Sequence, residues 1–297
     1  MASIELIRWL QGFATPWLTE IFRLITSLGG ESFYIVGLAF LYWSLDRRVA
    51  YRLSVLFLFS YWLNSGVKDL VNTVRPPEPM VKHLVTENSP AFPSGHAQGS
   101  TVFWGYLALT YRRRWFSWLA VGVVALVSLS RLYLGVHWPL DVAGGWAIGL
   151  TLLGLTALVA RYEARTWGEF SWLLQTVLAT VGPFFLMEFY QGPDAAVAVG
   201  ALSGLGLGHF LNERFVASPT AAPWPLQAIK IAGGVALIMA VRVGLKAVLP
   251  TGDSWTLVRY LAIGFSASFI WPWLFSYWAR PARPADSGVV HSQKTAS

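Results

Sequence analysis

The chain contains no cysteine, which excludes disulfides, thiol chemistry and cysteine-ligated metals. It is also poor in charge. Only 12% of its 297 residues are Asp, Glu, Lys or Arg, against about 25% in a soluble domain. That leaves too little polar surface to cover a water-soluble globule. Instead, 55% of the residues are hydrophobic and fall in long runs, with 16 Trp and 11 Tyr. Such rings favour the membrane–water interface. The expected solvent is therefore a bilayer, and the expected fold class is an all-α, polytopic helical bundle.

About nine membrane spans are expected, each near the ~20 residues that cross the hydrocarbon. They cover roughly 30–45, 49–69, 95–111, 115–135, 139–160, 170–190, 195–211, 226–249 and 256–279. Ile4–Leu28 differs. Its apolar positions recur at helical spacing between charges, which predicts an amphipathic helix lying in the interface. Glu5, Arg8, Glu20 and Arg23 in that stretch do not read as a signal peptide. The net charge of +7 sits in short loops between apolar runs, so nucleic acid is not an expected partner. Arg47, Arg48, Arg52, Arg112, Arg113, Arg114, Arg161, Arg165, Arg214, Lys230, Arg280, Arg283 and Lys294 all fall on one side of nine spans. By the positive-inside rule that side is cytoplasmic, which puts the N-terminus outside and the C-terminus inside.

Three clusters then share the outer face. Lys68 and Arg75-Pro76 end the second span. Pro93-Ser94-Gly95-His96 opens the third. Ser130-Arg131, His137 and Asp141 bridge the fourth and fifth. Cations at membrane ends are costly unless paired or functional. Lys68, Arg75 and Arg131 converging there make a seat for a multiply charged anion, with arginine forks suited to phosphate oxygens. Ser94 and Gly95 at a helix start add backbone donors, and Gly95 lets the backbone approach closely. A neutral His137 can attack phosphorus if Asp141, four residues on, holds its other nitrogen. His96 would protonate the leaving oxygen and later activate water. No metal or other cofactor is needed, and the surrounding cations argue against a dication there.

The pattern Lys68-x6-Arg75-Pro76, Pro93-Ser94-Gly95-His96 and Ser130-Arg131-x5-His137-x3-Asp141 resembles the three-part signature of the type 2 phosphatidic acid phosphatase superfamily. That superfamily includes bacterial lipid phosphatases, undecaprenyl pyrophosphate phosphatases, glucose-6-phosphatase and vanadium haloperoxidases. The resemblance implies that His137 is the nucleophile, Asp141 its partner and His96 the acid. Lys68, Arg75, Ser94, Gly95 and Arg131 would bind phosphate in an all-helical core with an outward site. Trp62-Leu63-Asn64 is similar to the glucose-6-phosphatase branch, whereas Asp141 is the lipid-phosphatase choice.

The expected organisation is an interfacial helix (1–29), a phosphatase core (30–168), a four-helix transmembrane extension (169–279) and a disordered cytoplasmic tail (280–297). The expected function is hydrolysis of a lipid phosphate monoester or pyrophosphate through a phosphohistidine, in a bacterial inner membrane. The substrate could be a polyprenyl pyrophosphate, phosphatidylglycerol phosphate, phosphatidate or a sphingoid phosphate. A sugar-phosphate phosphatase or a phosphotransferase would use the same residues, and a lipid transporter is the non-enzymatic alternative. Elsewhere, Gly200, Gly204, Gly206 and Gly208 suggest close helix packing. Arg242, Lys246 and Arg259 are expected to pair with Glu188, Asp194 or Asp253, with binding of anionic headgroups as the alternative. Lys82 and His83 could meet a headgroup, and His209 and His291 have no evident partner.

Overall fold

The computed structural model describes residues 2–166 and 169–278, which are helices and their connections. The tail expected at 280–297, with His291, lies outside the described residues. The N-terminal segment is two helices rather than the single one expected, α1 (Ala2–Gly12) and α2 (Pro16–Ser27). The break has a local cause. Thr15 is extended and its hydroxyl accepts from the Leu18 N–H, and Pro16 has no N–H with which to continue a preceding turn.

α3 (Glu31–Ser44) leads to α4 (Arg47–Val71). α4 starts where the Asp46 carboxylate accepts from the N–H groups of Arg48 and Val49 at 2.9 and 3.0 Å. It stops at Asn72, which is left-handed with φ 48°. The proline-dense loop 72–94 connects to α5 (Gly95–Tyr111), α6 (Arg114–Tyr133) and α7 (Pro139–Thr166). The extension begins with α8 (Trp172–Val181), which passes into a 3-10 segment, Gly182–Glu188. It continues with α9 (Pro193–Leu211) and α10 (Trp224–Val248). α11 (Asp253–Phe265) runs through a π turn into α12 (Trp271–Trp278).

All nine segments expected as spans fall on helical stretches. Five are long and apolar enough to cross a bilayer: α6, Pro139–Arg161, Pro193–Val216, α10 and Asp253–Trp278. Counted as one span, α2 and α3, bent by 45° to each other, would be a sixth. α4 and α5 are less apolar because they carry Ser60, Asn64, Ser65, Lys68, Gln98, Ser100 and Thr101 inward, all buried.

α5 packs against α4, α6 and α7, and α3 joins through a core of Tyr34, Tyr42, Trp43, Leu53 and Phe103. The extension docks on α4 through Trp62, Ala195 and Ala198. Within it, α9 and α11 meet backbone to backbone. A Cβ at Gly200 or Gly204 would strike the carbonyl oxygens of Leu257 or Leu261, and one at Gly206 would lie 2.5 Å from the Ala179 oxygen. The expected close packing is therefore present, and it depends on the missing side chains.

Three pairings differ from expectation. Arg242 bridges to Glu31 at 3.1 Å. Asp194 instead accepts from Tyr61 and Ser65 at 2.7 and 2.9 Å. His209 is buried, with its ring stacked on Tyr51 at 3.9 Å and Nδ1 3.2 Å from the Tyr42 hydroxyl. These pairs join residues far apart in the chain, beyond the reach of local sequence patterns.

α1 and α2 are also more than an interfacial float. Arg8 Nε donates to the Met80 carbonyl at 2.7 Å, and Gln11 exchanges bonds with the Lys82 backbone at 2.7 and 3.0 Å. Arg23 Nη2 donates to the Leu84 carbonyl at 2.8 Å. Their polar side chains thus hold loop 72–94, while Trp9, Trp17 and Leu24 stay exposed as an interfacial face requires.

The α9–α11 contact predicts that Gly204→Ala destabilises the protein by about 1–3 kcal/mol, since the Leu261 backbone must move. Gly154→Ala, with nothing within 4 Å, is the control. Melting in detergent should fall by several degrees for the first variant and stay put for the second.

Candidate active site

Helix ends assemble the site. Lys68 lies in the last turn of α4, His96 in the first turn of α5, Arg131 in the last turn of α6 and Asp141 in the first turn of α7. Arg75 enters from loop 72–94 and His137 from the α6–α7 connection. The three sequence clusters therefore meet.

His137 is buried, and its Nδ1 faces Asp141 Oδ2 at 3.3 Å. The same oxygen accepts from the Trp138 N–H at 2.7 Å, which fixes the carboxylate under the ring. On the other edge, Arg75 Nη1 lies 3.3 Å from His137 Nε2 and donates to the Val136 carbonyl at 2.6 Å. A guanidinium donor there and a carboxylate opposite select one tautomer, with the proton on Nδ1 and the lone pair on Nε2. Burial, followed by the charges of Arg131, Arg75 and Lys68 and the neighbouring His96, holds the His137 imidazole well below the ordinary histidine range.

The cations are held mainly by backbone. Lys68 Nζ donates to the Pro90 carbonyl and more weakly to Ala91 at 3.5 Å. Arg75 Nε donates to the Ser89 carbonyl at 2.8 Å. Arg131, 1% exposed, donates from Nη1 to Thr26 Oγ1 at 2.9 Å and from Nη2 to Glu87. Its Nε is buried with no acceptor among the described residues.

Ser94 caps α5, its hydroxyl accepting from the Ala97 N–H at 3.5 Å. Its own N–H is engaged by the Asp141 carbonyl at 2.9 Å, so that donor fastens α5 to α7. Gly95 has a steric reason to be glycine besides the expected one, since a Cβ would sit 3.2 Å from Asn64 Oδ1. Asn64 in turn donates to Gln98 Oε1 at 2.8 Å, and Gln98 Nε2 donates to the Ser60 carbonyl and hydroxyl at 2.8 Å. His96 packs by Gly29 after α2, where a Cβ would come within 3.1 Å of its ring.

Sequence reasoning missed Glu87, Thr26 and Gln98. Glu87 touches both arginines, with Oε1 on Arg131 and Oε2 3.7 Å from Arg75 Nη2. No spacing rule marks it. The clue was charge balance, because three cations beside one aspartate call for another carboxylate, and the loop offers Glu78 and Glu87. Glu78 instead lies 3.6 Å from His83, whose Nε2 contacts the Pro76 carbonyl at 2.6 Å.

A bundle of apolar helices defines an integral membrane protein, and the cationic, histidine-bearing cradle at one end is its candidate anion site. Comparison with known proteins adds its lineage. Residues 49–165 match the PAP2 superfamily, and residues 196–279 match the PAP2 superfamily phosphatase, transmembrane extension. Phosphatidylglycerophosphatase B of Bacillus subtilis (strain 168) is 33% identical over 156 residues, covering 47% of this chain and 74% of that protein. Sphingosine-1-phosphate phosphatase 2 of Mus musculus is 31% identical over 224 residues, covering 67% of this chain and 61% of that protein. The chain thus spans about three fifths of the mouse protein's length. The crystal structure of the first transmembrane PAP2 type phosphatidylglycerolphosphate phosphatase, from Bacillus subtilis, superposes with a TM-score of 0.48 at 28% identity, over 56% of this chain and 87% of that one. This chain belongs to the PAP2 superfamily.

The depressed His137 value has a direct consequence. A histidine that resists protonation keeps its neutral form as pH falls through about 6.5, the ordinary value. Histidine NMR in detergent should show its ring shifts unchanged between about pH 7.5 and about pH 5.5, one decade either side of an ordinary midpoint. Titration near 6.5 would contradict the electrostatic reading.

Proposed function

We propose that this protein is a membrane phosphatase that hydrolyses the phosphate monoester or pyrophosphate of a lipid, through a phosphohistidine and without a metal. The observation that carries the reading is the His137 ring. Its Nδ1 is held by Asp141 at 3.3 Å, and its Nε2 is turned toward the cations. Membership of the PAP2 superfamily and the names of the relatives support the substrate class.

The chemistry follows from the residues. The phosphate settles among Lys68, Arg75 and Arg131, where the buried Arg131 Nε offers a donor still without an acceptor. The Gly95 end of α5 adds its helix-terminal field. The His137 Nε2 lone pair forms the N–P bond as the bond from phosphorus to the leaving oxygen breaks. His96 passes its proton to that oxygen, and Asp141 stabilises the imidazolium. Water then attacks phosphorus while His96 takes one of its protons. The N–P bond breaks, and inorganic phosphate and neutral His137 are regenerated. The cradle spreads charge over the equatorial oxygens in both steps.

Orientation follows the nine-span topology. Arg47, Arg48, Arg52, Arg112, Arg113 and Arg114 lie at the helix ends remote from the site, and cytoplasmic placement of those ends turns the site outward. We place the protein in a bacterial cell membrane with the site facing the periplasm or exterior, where an outer-leaflet headgroup reaches it while its tails stay in lipid.

Two experiments test this. Detergent-purified protein should release inorganic phosphate from a lipid phosphate with chelator present, and His137→Ala should lose at least about a thousandfold of that rate while keeping its melting temperature. Normal turnover by the variant would remove His137 from the mechanism. Because the native chain has no cysteine, single cysteines report topology cleanly. Asn88→Cys in intact cells should react with a membrane-impermeant maleimide, and Arg113→Cys should react only after lysis. The reverse pattern would invert the orientation.

A further inference from the structure

Glu87 is out of place in a site built for an anion. Its two carboxylate oxygens divide between the two arginines, Oε1 on Arg131 and Oε2 3.7 Å from Arg75. A carboxylate bridging two guanidinium groups mimics how two phosphate oxygens would bind. A phosphate dianion entering the cradle must therefore displace Glu87.

The displaced carboxylate has little freedom to leave. The chain before it is fixed where the Leu84 N–H donates to the Leu134 carbonyl at 3.0 Å and Arg23 holds the Leu84 carbonyl at 2.8 Å. The chain after it is fixed where Arg75 holds the Ser89 carbonyl at 2.8 Å and the Ala91 N–H donates to the Thr73 carbonyl at 2.9 Å. Only residues 85–88 lie between these anchors. The Glu87 side chain can swing, but its backbone stays beside the two arginines, and the side chain is 26% exposed.

Two negative groups then share one water-poor cradle, and like charges at short range are costly there. A substrate that carries its own cation beside the phosphate removes the conflict. We propose that Glu87 is a specificity-determining residue that receives an ammonium group carried close to the phosphate, so that amino-alkyl phosphates of long-chain lipids are favoured over phosphates lacking the amine. This rests on the phosphatase reading and narrows its substrate class. The carboxylate changes partner, from the arginines in the free protein to the ammonium in the complex, and no charge is left unpaired.

The test compares two substrates that differ at one group, a long-chain 2-amino-alkyl phosphate and the same molecule N-acetylated. Phosphate release gives kcat/KM for each. Unaltered protein should prefer the amine by at least about tenfold, the scale of one charge-assisted contact. Glu87→Gln, which keeps an acceptor for Arg131, should bring the ratio to within about twofold of unity. Most of that change should come from faster turnover of the acetylated substrate at low concentration, because its competitor for the arginines is weakened. Glu87→Asp should keep part of the preference. A ratio that is near unity in the unaltered protein, or unchanged in Glu87→Gln, would overturn the proposal, as would an equal gain on both substrates. Binding of the two molecules to His137→Ala, followed by melting temperature, measures the same preference without turnover. Recognition is thereby judged even if neither molecule is hydrolysed, an outcome that would count against the phosphatase reading alone.

Discussion

Everything at the cradle end of this bundle depends on holding three cations together where water is scarce. Lys68, Arg75 and Arg131 repel one another, and each loses hydration on burial. The protein offsets this less with counter-ions than with carbonyl oxygens. Pro90 and Ala91 receive Lys68, and Ser89 and Val136 receive Arg75. Proline explains why such carbonyls are at hand. A segment rich in proline makes few helical or ladder bonds, so its carbonyl oxygens remain available, and its restricted backbone keeps them in place. Among the described residues, Glu87 and Asp141 bring full negative charge to the cradle, and they divide the work. Asp141 serves the histidine, and Glu87 serves the arginines.

The same economy appears in the extension. α9 buries most of its surface by omitting side chains, so α11 approaches until carbonyl oxygens nearly touch the Cα positions of Gly200 and Gly204. Without a hydrophobic driving force between helices in lipid, such close van der Waals contact is the available glue. Its effect reaches the site through α4. Asp194 holds Ser65, and the Tyr190 hydroxyl donates to Asp69 at 2.8 Å, on either side of Lys68. The extension thus steadies the turn that presents the lysine.

Much of this was legible beforehand. Hydropathy found the helical stretches, because a chain in lipid must satisfy its backbone within each helix. The cradle residues and the His137–Asp141 pair were legible because helix ends put them at fixed spacings along the chain. The break at Pro16 had a local signal, Thr15-Pro16, that the longer apolar periodicity masked. Glu87 was out of reach, since a lone acid in an irregular loop has no period to betray its partner. Arg242 with Glu31, and His209 with Tyr42 and Tyr51, were hidden for a related reason, as the chain between such partners is long and only packing joins them.

The grip of α1 and α2 on loop 72–94 has a consequence for the order in which the molecule is assembled. α1 and α2 leave the ribosome before the segments they hold, since their anchors at Met80, Lys82 and Leu84 are made much later, and Tyr133, against which Phe22 stacks at 4.2 Å, later still. Their docking is complete only once α6 is in place. Thr26, which holds Arg131, arrives with them. A segment made before the core therefore closes the cradle after it, and the site stays incomplete until the helices around it have been threaded.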